Sequence, residues 1–168
     1  MLGAAAIDCS PLKSHIMLNL DSEDEGYLLV SCAGGTTATA HLPYENENKY
    51  GTTASLTVTG LIGGHSGVEI DKERANSNRL MGRTLYMLSK KYPFSLISVN
   101  GGSKDNAIPR ETTASIMFPP ETDLASVSSY INEINCIYSN EYRITDPDIR
   151  IILTSDTLCN ANVMTDSS

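Results

Sequence analysis

At 168 residues the chain suffices for one domain, or one domain with flanks, and its 40% hydrophobic content is enough for one core. A formal net charge of −8 and a pI of about 4.7 exclude non-specific binding to nucleic acid or to anionic membranes, both of which need a basic surface. No run approaches the roughly 18 apolar residues of a membrane helix, and Met1 to Ile7 is too short, and lacks the basic n-region, for a secretory signal.

Much of the negative charge is local, in Glu23-Asp24-Glu25 and around Glu45 and Glu47, as in solvated loops. Cys9, Cys32, Cys136 and Cys159 form no C-x-x-C pair, which argues against a zinc finger or a dithiol redox motif. They read as free thiols in a reducing compartment, and the protein as cytoplasmic.

In chain order, residues 1–15 read as the end of another unit, with Ser10-Pro11 breaking a short helix after Ala4-Ala5-Ala6-Ile7. Ile16-Met17-Leu18-Asn19-Leu20 has the length of a strand and stops at Asp21-Ser22-Glu23-Asp24-Glu25-Gly26. A second extended run, Tyr27 to Ser31, leads through Gly34-Gly35 into a polar, threonine-rich connection that continues past Pro43 to Tyr50. Ala54-Ser55-Leu56-Thr57-Val58-Thr59 alternates as a half-buried strand and enters the glycine-rich turn Gly60 to Asp71.

Asp71 is expected to cap a helix whose Leu80, Met81, Thr84, Leu85 and Leu88 share one face, with Lys90 and Lys91 in its last turn and Pro93 beyond it. Phe94 to Val99 reads as a strand, residues 100–110 as a loop, and Thr113 to Phe118 as another strand closed by Pro119-Pro120. Leu124, Val127, Ile131, Ile134 and Tyr138 mark a second amphipathic helix; Asp148 to Leu153 is a last strand, and Leu158 to Ser168 has no pattern and is expected to fray. The order from residue 50 to 155 is β-α-β-β-α-β. That is an α+β, ferredoxin-like split βαβ fold, an antiparallel four-stranded sheet with two helices on one face.

Three places carry candidate chemistry. His65 stands in Gly63-Gly64-His65-Ser66-Gly67, where glycines leave the imidazole uncovered and placed to meet a ligand; the alternative is a tight turn whose histidine caps a local carbonyl. Asp21 directly follows an apolar strand, a rigid place for a metal-binding carboxylate, but a zinc site needs three or four ligands, and His15, His41 and His65 form no H-x-x-x-H or H-x-D pattern. The loop with Asn106, Pro109 and Arg110 offers an amide and a bidentate guanidinium, and in a ferredoxin-like sheet it could approach the His65 turn; the alternative is an ordinary surface loop.

Leu18 to Gly26, Cys32-Ala33-Gly34-Gly35, Gly63 to Gly67 and Asp105-Asn106-Ala107-Ile108-Pro109-Arg110 together resemble the aminoacyl-histidine (Xaa-His) dipeptidases, which are cytosolic, carnosine-cleaving di-zinc exopeptidases. The resemblance implies that residues 1–43 are a flanking piece of a catalytic domain and hinge, 44–156 a lid and dimerisation domain, and 157–168 a disordered tail. It implies Asp21 as a ligand to one of two zinc ions. His65 would be the catalytic donor to the oxyanion and a substrate contact, Asn106 a substrate hydrogen-bonding group, and Arg110 a partner for the substrate's C-terminal carboxylate. It also implies a dipeptide substrate and a homodimer formed through the lid. The family's H-x-D, bridging Asp, adjacent Glu-Glu pair and C-terminal His are absent, and Met117 stands where several relatives carry an arginine, so the chain alone is expected to be inactive. Two other readings of the fold are a regulatory module binding a small ligand, and an acylphosphatase-like anion site; the latter wants an arginine in the turn, where this chain has His65.

Overall fold

The computed structural model describes residues 6–16, 18, 25–28, 30 and 36–165. Asp21 and most of its acidic turn, Cys32, and parts of both strands expected before residue 36 lie outside the described residues. The chain divides into two compact units, Met1–Thr36 and Thr37–Ser168. In the first, Asp8 Oδ1 accepts from Ser10 N at 2.9 Å and Leu12 N donates to Cys9 O at 3.0 Å, a local turn around Pro11. Cys9, Cys136 and Cys159 are free thiols.

The second unit holds the sheet. Strand β1 (Asn46–Thr59), strand β3 (Ser95–Gly101), strand β5 (Thr112–Phe118) and strand β6 (Arg150–Met164) lie in the order β3-β5-β1-β6, every neighbouring pair antiparallel. A separate two-stranded piece joins β2 (Gly64–His65) to β4 (Ala107–Ile108). Two helices, α1 (Ser77–Ser89) and α2 (Leu124–Glu141), complete the expected β-α-β-β-α-β order. No helix among the described residues is long and apolar enough to cross a membrane.

Alternation sets the faces. Ala54, Leu56 and Val58 of β1 and Ala114, Ile116 and Phe118 of β5 point to one side and are buried, while Ser55, Thr57, Thr113 and Ser115 point to the other and are half-buried. Register places Leu56 opposite Ala114 on one flank and Leu153 on the other. Against the apolar side α1 lays Leu80, Met81 and Leu88, and α2 lays Val127, Ile131, Ile134 and Tyr138, forming one continuous core. Both helices therefore cover the same face. They are tied to each other by the Tyr138 hydroxyl, which donates to Leu80 O at 3.3 Å, and by the paired bonds of Arg83 to Glu141 at 2.5 and 2.8 Å.

Two expectations are corrected. Helix α1 starts at Ser77 with Asn76 as its cap, whose side chain accepts from Asn78 N and Arg79 N; Asp71 lies earlier, in the 3-10 turn Ile70–Lys72. The end of the chain does not fray at 158: β6 runs to Met164, pairing Asn160 with Tyr50 and Met164 with Asn46, so the connection before Tyr50 and the expected tail form one ribbon. Backbone pairing rather than apolar pattern holds this ribbon, with Asn48 Nδ2 donating to Asn162 Oδ1 at 3.3 Å.

Candidate functional site

The site begins where β1 ends. Gly60 has φ +81°, and a Cβ there would stand 2.0 Å from Asp148 O, so only glycine lets the chain turn this close to the start of β6. Gly63, with φ +68°, leaves the space that the Arg110 side chain fills: a Cβ would meet Arg110 Cγ at 2.4 Å. The turn then pairs with the distant loop, Gly64 opposite Ile108 and His65 opposite Ala107, and Ser66 N donates to Asn106 O at 3.0 Å. The structure thus brings together three of the four residues expected to matter: His65, Asn106 and Arg110. Asp21 lies outside the described residues.

His65 is exposed and its ring is fixed from within the turn. Gly67 N and Val68 N donate to its Nδ1 at 3.0 and 3.3 Å. An accepting Nδ1 carries no proton in the neutral ring, so the ring N–H belongs to Nε2. The histidine caps backbone amides, not a carbonyl, and keeps its donor for something else. Arg110 is engaged more than expected: Nε donates to Leu61 O at 3.2 Å while the stem lies across Gly63.

Sequence reasoning missed three supports of this turn. Glu69 Oε2 accepts from His65 N at 2.9 Å, and its Oε1 takes Lys72 Nζ at 2.6 Å and Arg74 Nη1 at 3.3 Å. Arg74 Nη1 also donates to Gly63 O. The third support is Asp146, a buried carboxylate bonded to Ile62 N and Ala75 N. The spacing of Glu69 from His65, one helical turn, was a legible local signal; Asp146 gave none, because its partners are 84 and 71 residues away.

The Lys72 hydrogen bond first, then the His65 N–H and the nearby charges of Lys72 and Arg74, lower the Glu69 pKa from 4.5 to about 2. A depressed carboxylate contributes stability that is fully present above its unfolded pKa and disappears as pH falls through its folded one. The bond from His65 N is therefore expected to persist through pH 3–4 and to break only as the pH approaches 2. An NMR titration of the His65 amide checks this; a midpoint near the ordinary 4.5 would mean that Glu69 does not clamp the turn.

An open groove of about 580 Å³ runs beside the turn, between Ser66, Asn76, Asn78, Gly102 and Lys104. A second groove, about 380 Å³, sits at the far end of β1 by Lys49 and Phe118, away from the candidate residues. Among the described residues no three His, Cys, Asp or Glu side chains are grouped so as to hold a metal ion, so these residues do not fit a metal centre by themselves.

Residues 56–143 match the peptidase dimerisation domain family. The chain is 36% identical over 157 residues to the cytosol non-specific dipeptidase of Escherichia coli strain K12, an alignment covering 92% of this chain and 32% of that protein. Its structure is similar to that of the aminoacylhistidine dipeptidase from Vibrio alginolyticus, with a TM-score of 0.64 and 31% identity over 70% of this chain and 24% of the other. The chain therefore spans about a third or less of the length of these dipeptidases, and the part it spans includes the dimerisation domain anticipated from the motifs. With its split β-α-β-β-α-β sheet and its match across both helices, the chain belongs to the peptidase dimerisation domain family, in company with hydrolases named as dipeptidases.

Proposed function

We propose that the chain is the substrate-covering and dimerisation domain of a cytosolic, zinc-dependent Xaa-His dipeptidase. The observation that carries this reading is His65, exposed on a glycine turn with Nδ1 occupied by two backbone amides, which leaves Nε2 as the ring's remaining donor. Amide hydrolysis passes through a tetrahedral oxyanion, and a preoriented donor on a lid meets that charge as it develops. Asn106, whose backbone is bonded to Ser66 beside His65, places an amide side chain to hydrogen-bond the peptide. Arg110 spends Nε on Leu61 O and keeps its two terminal nitrogens for the substrate's C-terminal carboxylate.

Asp21 is this chain's contribution to a two-zinc centre whose remaining ligands lie elsewhere in the peptidase. Because the described residues hold no ligand set, the isolated chain is expected to turn over no carnosine, with or without added zinc. Turnover that scales with chain concentration and survives repurification would overturn this. The chain is also expected to form a homodimer, a closed, self-complementary assembly. Light scattering checks it; a monomer mass across micromolar concentrations would count against dimerisation through this domain.

A further inference from the structure

Asp146 has none of its surface exposed, and the chemistry above makes no use of it. A buried carboxylate is costly unless its oxygens are bonded. Here Oδ1 accepts from Ile62 N at 2.9 Å and Oδ2 from Ala75 N at 2.8 Å. These amides stand at the two ends of the segment that carries Gly63, His65, Glu69 and Arg74. Asp146 is itself held on both sides: its N donates to Tyr142 O at 2.8 Å, just past α2, and its O accepts from Ile149 N at 3.1 Å, just before β6. One side chain thus closes the neck of the His65 segment onto the helix–strand framework.

The choice of residue follows from the same geometry. Two N–H groups converging on one short side chain need two acceptors and no donor, which aspartate has and asparagine lacks. We infer that Asp146 is a positioning residue for His65, fixing where the imidazole Nε2–H stands by gripping Ile62 and Ala75 at once. The inference rests on the reading that His65 meets the substrate.

A double-mutant cycle in the full-length peptidase tests it. Asp146→Asn presents an amide N–H to one of the two backbone donors and releases that end of the neck. It is expected to lower kcat about 10- to 100-fold, the scale of a displacement of about 1 Å in a catalytic group, with KM little changed. Amide exchange should speed up in residues 62–75 and stay slow at Leu56 and Ile116. In a His65→Ala background the same substitution should leave kcat where His65→Ala alone put it, because a residue that acts through His65 has nothing left to position.

Additive losses, or a wild-type kcat for Asp146→Asn while His65→Ala is impaired, would overturn the inference. A wild-type kcat for His65→Ala alone would instead remove the reading of His65 on which it rests. If the asparagine variant does not fold, Asp146→Glu keeps both acceptors but moves them by one methylene, and the same cycle with His65→Ala decides the question.

Discussion

Changing His65 to alanine in the full-length peptidase is expected to lower kcat by about 10²–10³-fold, the usual cost of removing one oxyanion donor, and to leave the domain folded. The expectation follows from where the ring sits. It is exposed, it packs into none of the core, and its bonds to the protein are two amides received at Nδ1. Losing them unties a local turn that Glu69 and Asp146 hold independently, through His65 N, Ile62 N and Ala75 N. The loss should fall on kcat rather than KM, because an oxyanion donor binds a charge that the ground-state carbonyl does not yet have. Metal content should not change in His65→Ala; on the proposed ligand role of Asp21, Asp21→Ala is the variant expected to lower it. Melting temperature, metal content and kcat measured together separate the cases. If His65→Ala unfolds the domain, or retains near-wild-type kcat, the ring is only a cap for Gly67 and Val68.

What the sequence could disclose followed from the range of each interaction. Periods of two at 54–59 and 113–118 and the three-and-four spacing of Leu80 to Leu88 and Val127 to Tyr138 are written in neighbouring residues, and those residues are strand and helix as expected, although β1 and the first helix have other starts. The topology allowed the Asn106 loop to approach His65 without deciding between that and an ordinary surface loop, and the pairing of His65 with Ala107 shows the approach. The ribbon of residues 46–50 and 160–164 was invisible because it has little apolar pattern: Asn46, Glu47, Asn48 and Lys49 face partners more than 110 residues away, and that distant pairing makes them a strand. The helix start was misplaced because Asp71 and Asn76 are both competent caps; the loop pinned by Glu69 and Asp146 takes up the residues up to Ala75 and leaves the role to Asn76. Arg110 was legible as a charged loop residue but not in its direction, since Gly63, which makes room for its stem, lies in another part of the chain.

The largest stability effect is expected from Leu56→Ala. Leu56 is fully buried in the middle of the central strand, flanked by Ala114 and Leu153, and belongs to the core that both helices cover. Small neighbours such as Ala54 and Ala114 cannot swell into the space left behind, so the cavity adds to the lost transfer free energy and the cost should be about 2–5 kcal/mol. For a domain stabilised by only about 5–15 kcal/mol, that is a large fraction of the total. The adjacent Thr57 provides the comparison. Its side chain points to the opposite face, half-buried, with Oγ1 3.1 Å from Thr113 Oγ1. Thr57→Ala removes one hydroxyl contact from a face where water can replace it, and should cost about 0.5–1.5 kcal/mol. Urea unfolding of the 168-residue chain measures both. A much larger midpoint shift for Leu56→Ala at unchanged slope is expected; equal small shifts would mean that the helices do not seal the Leu56 face of the sheet.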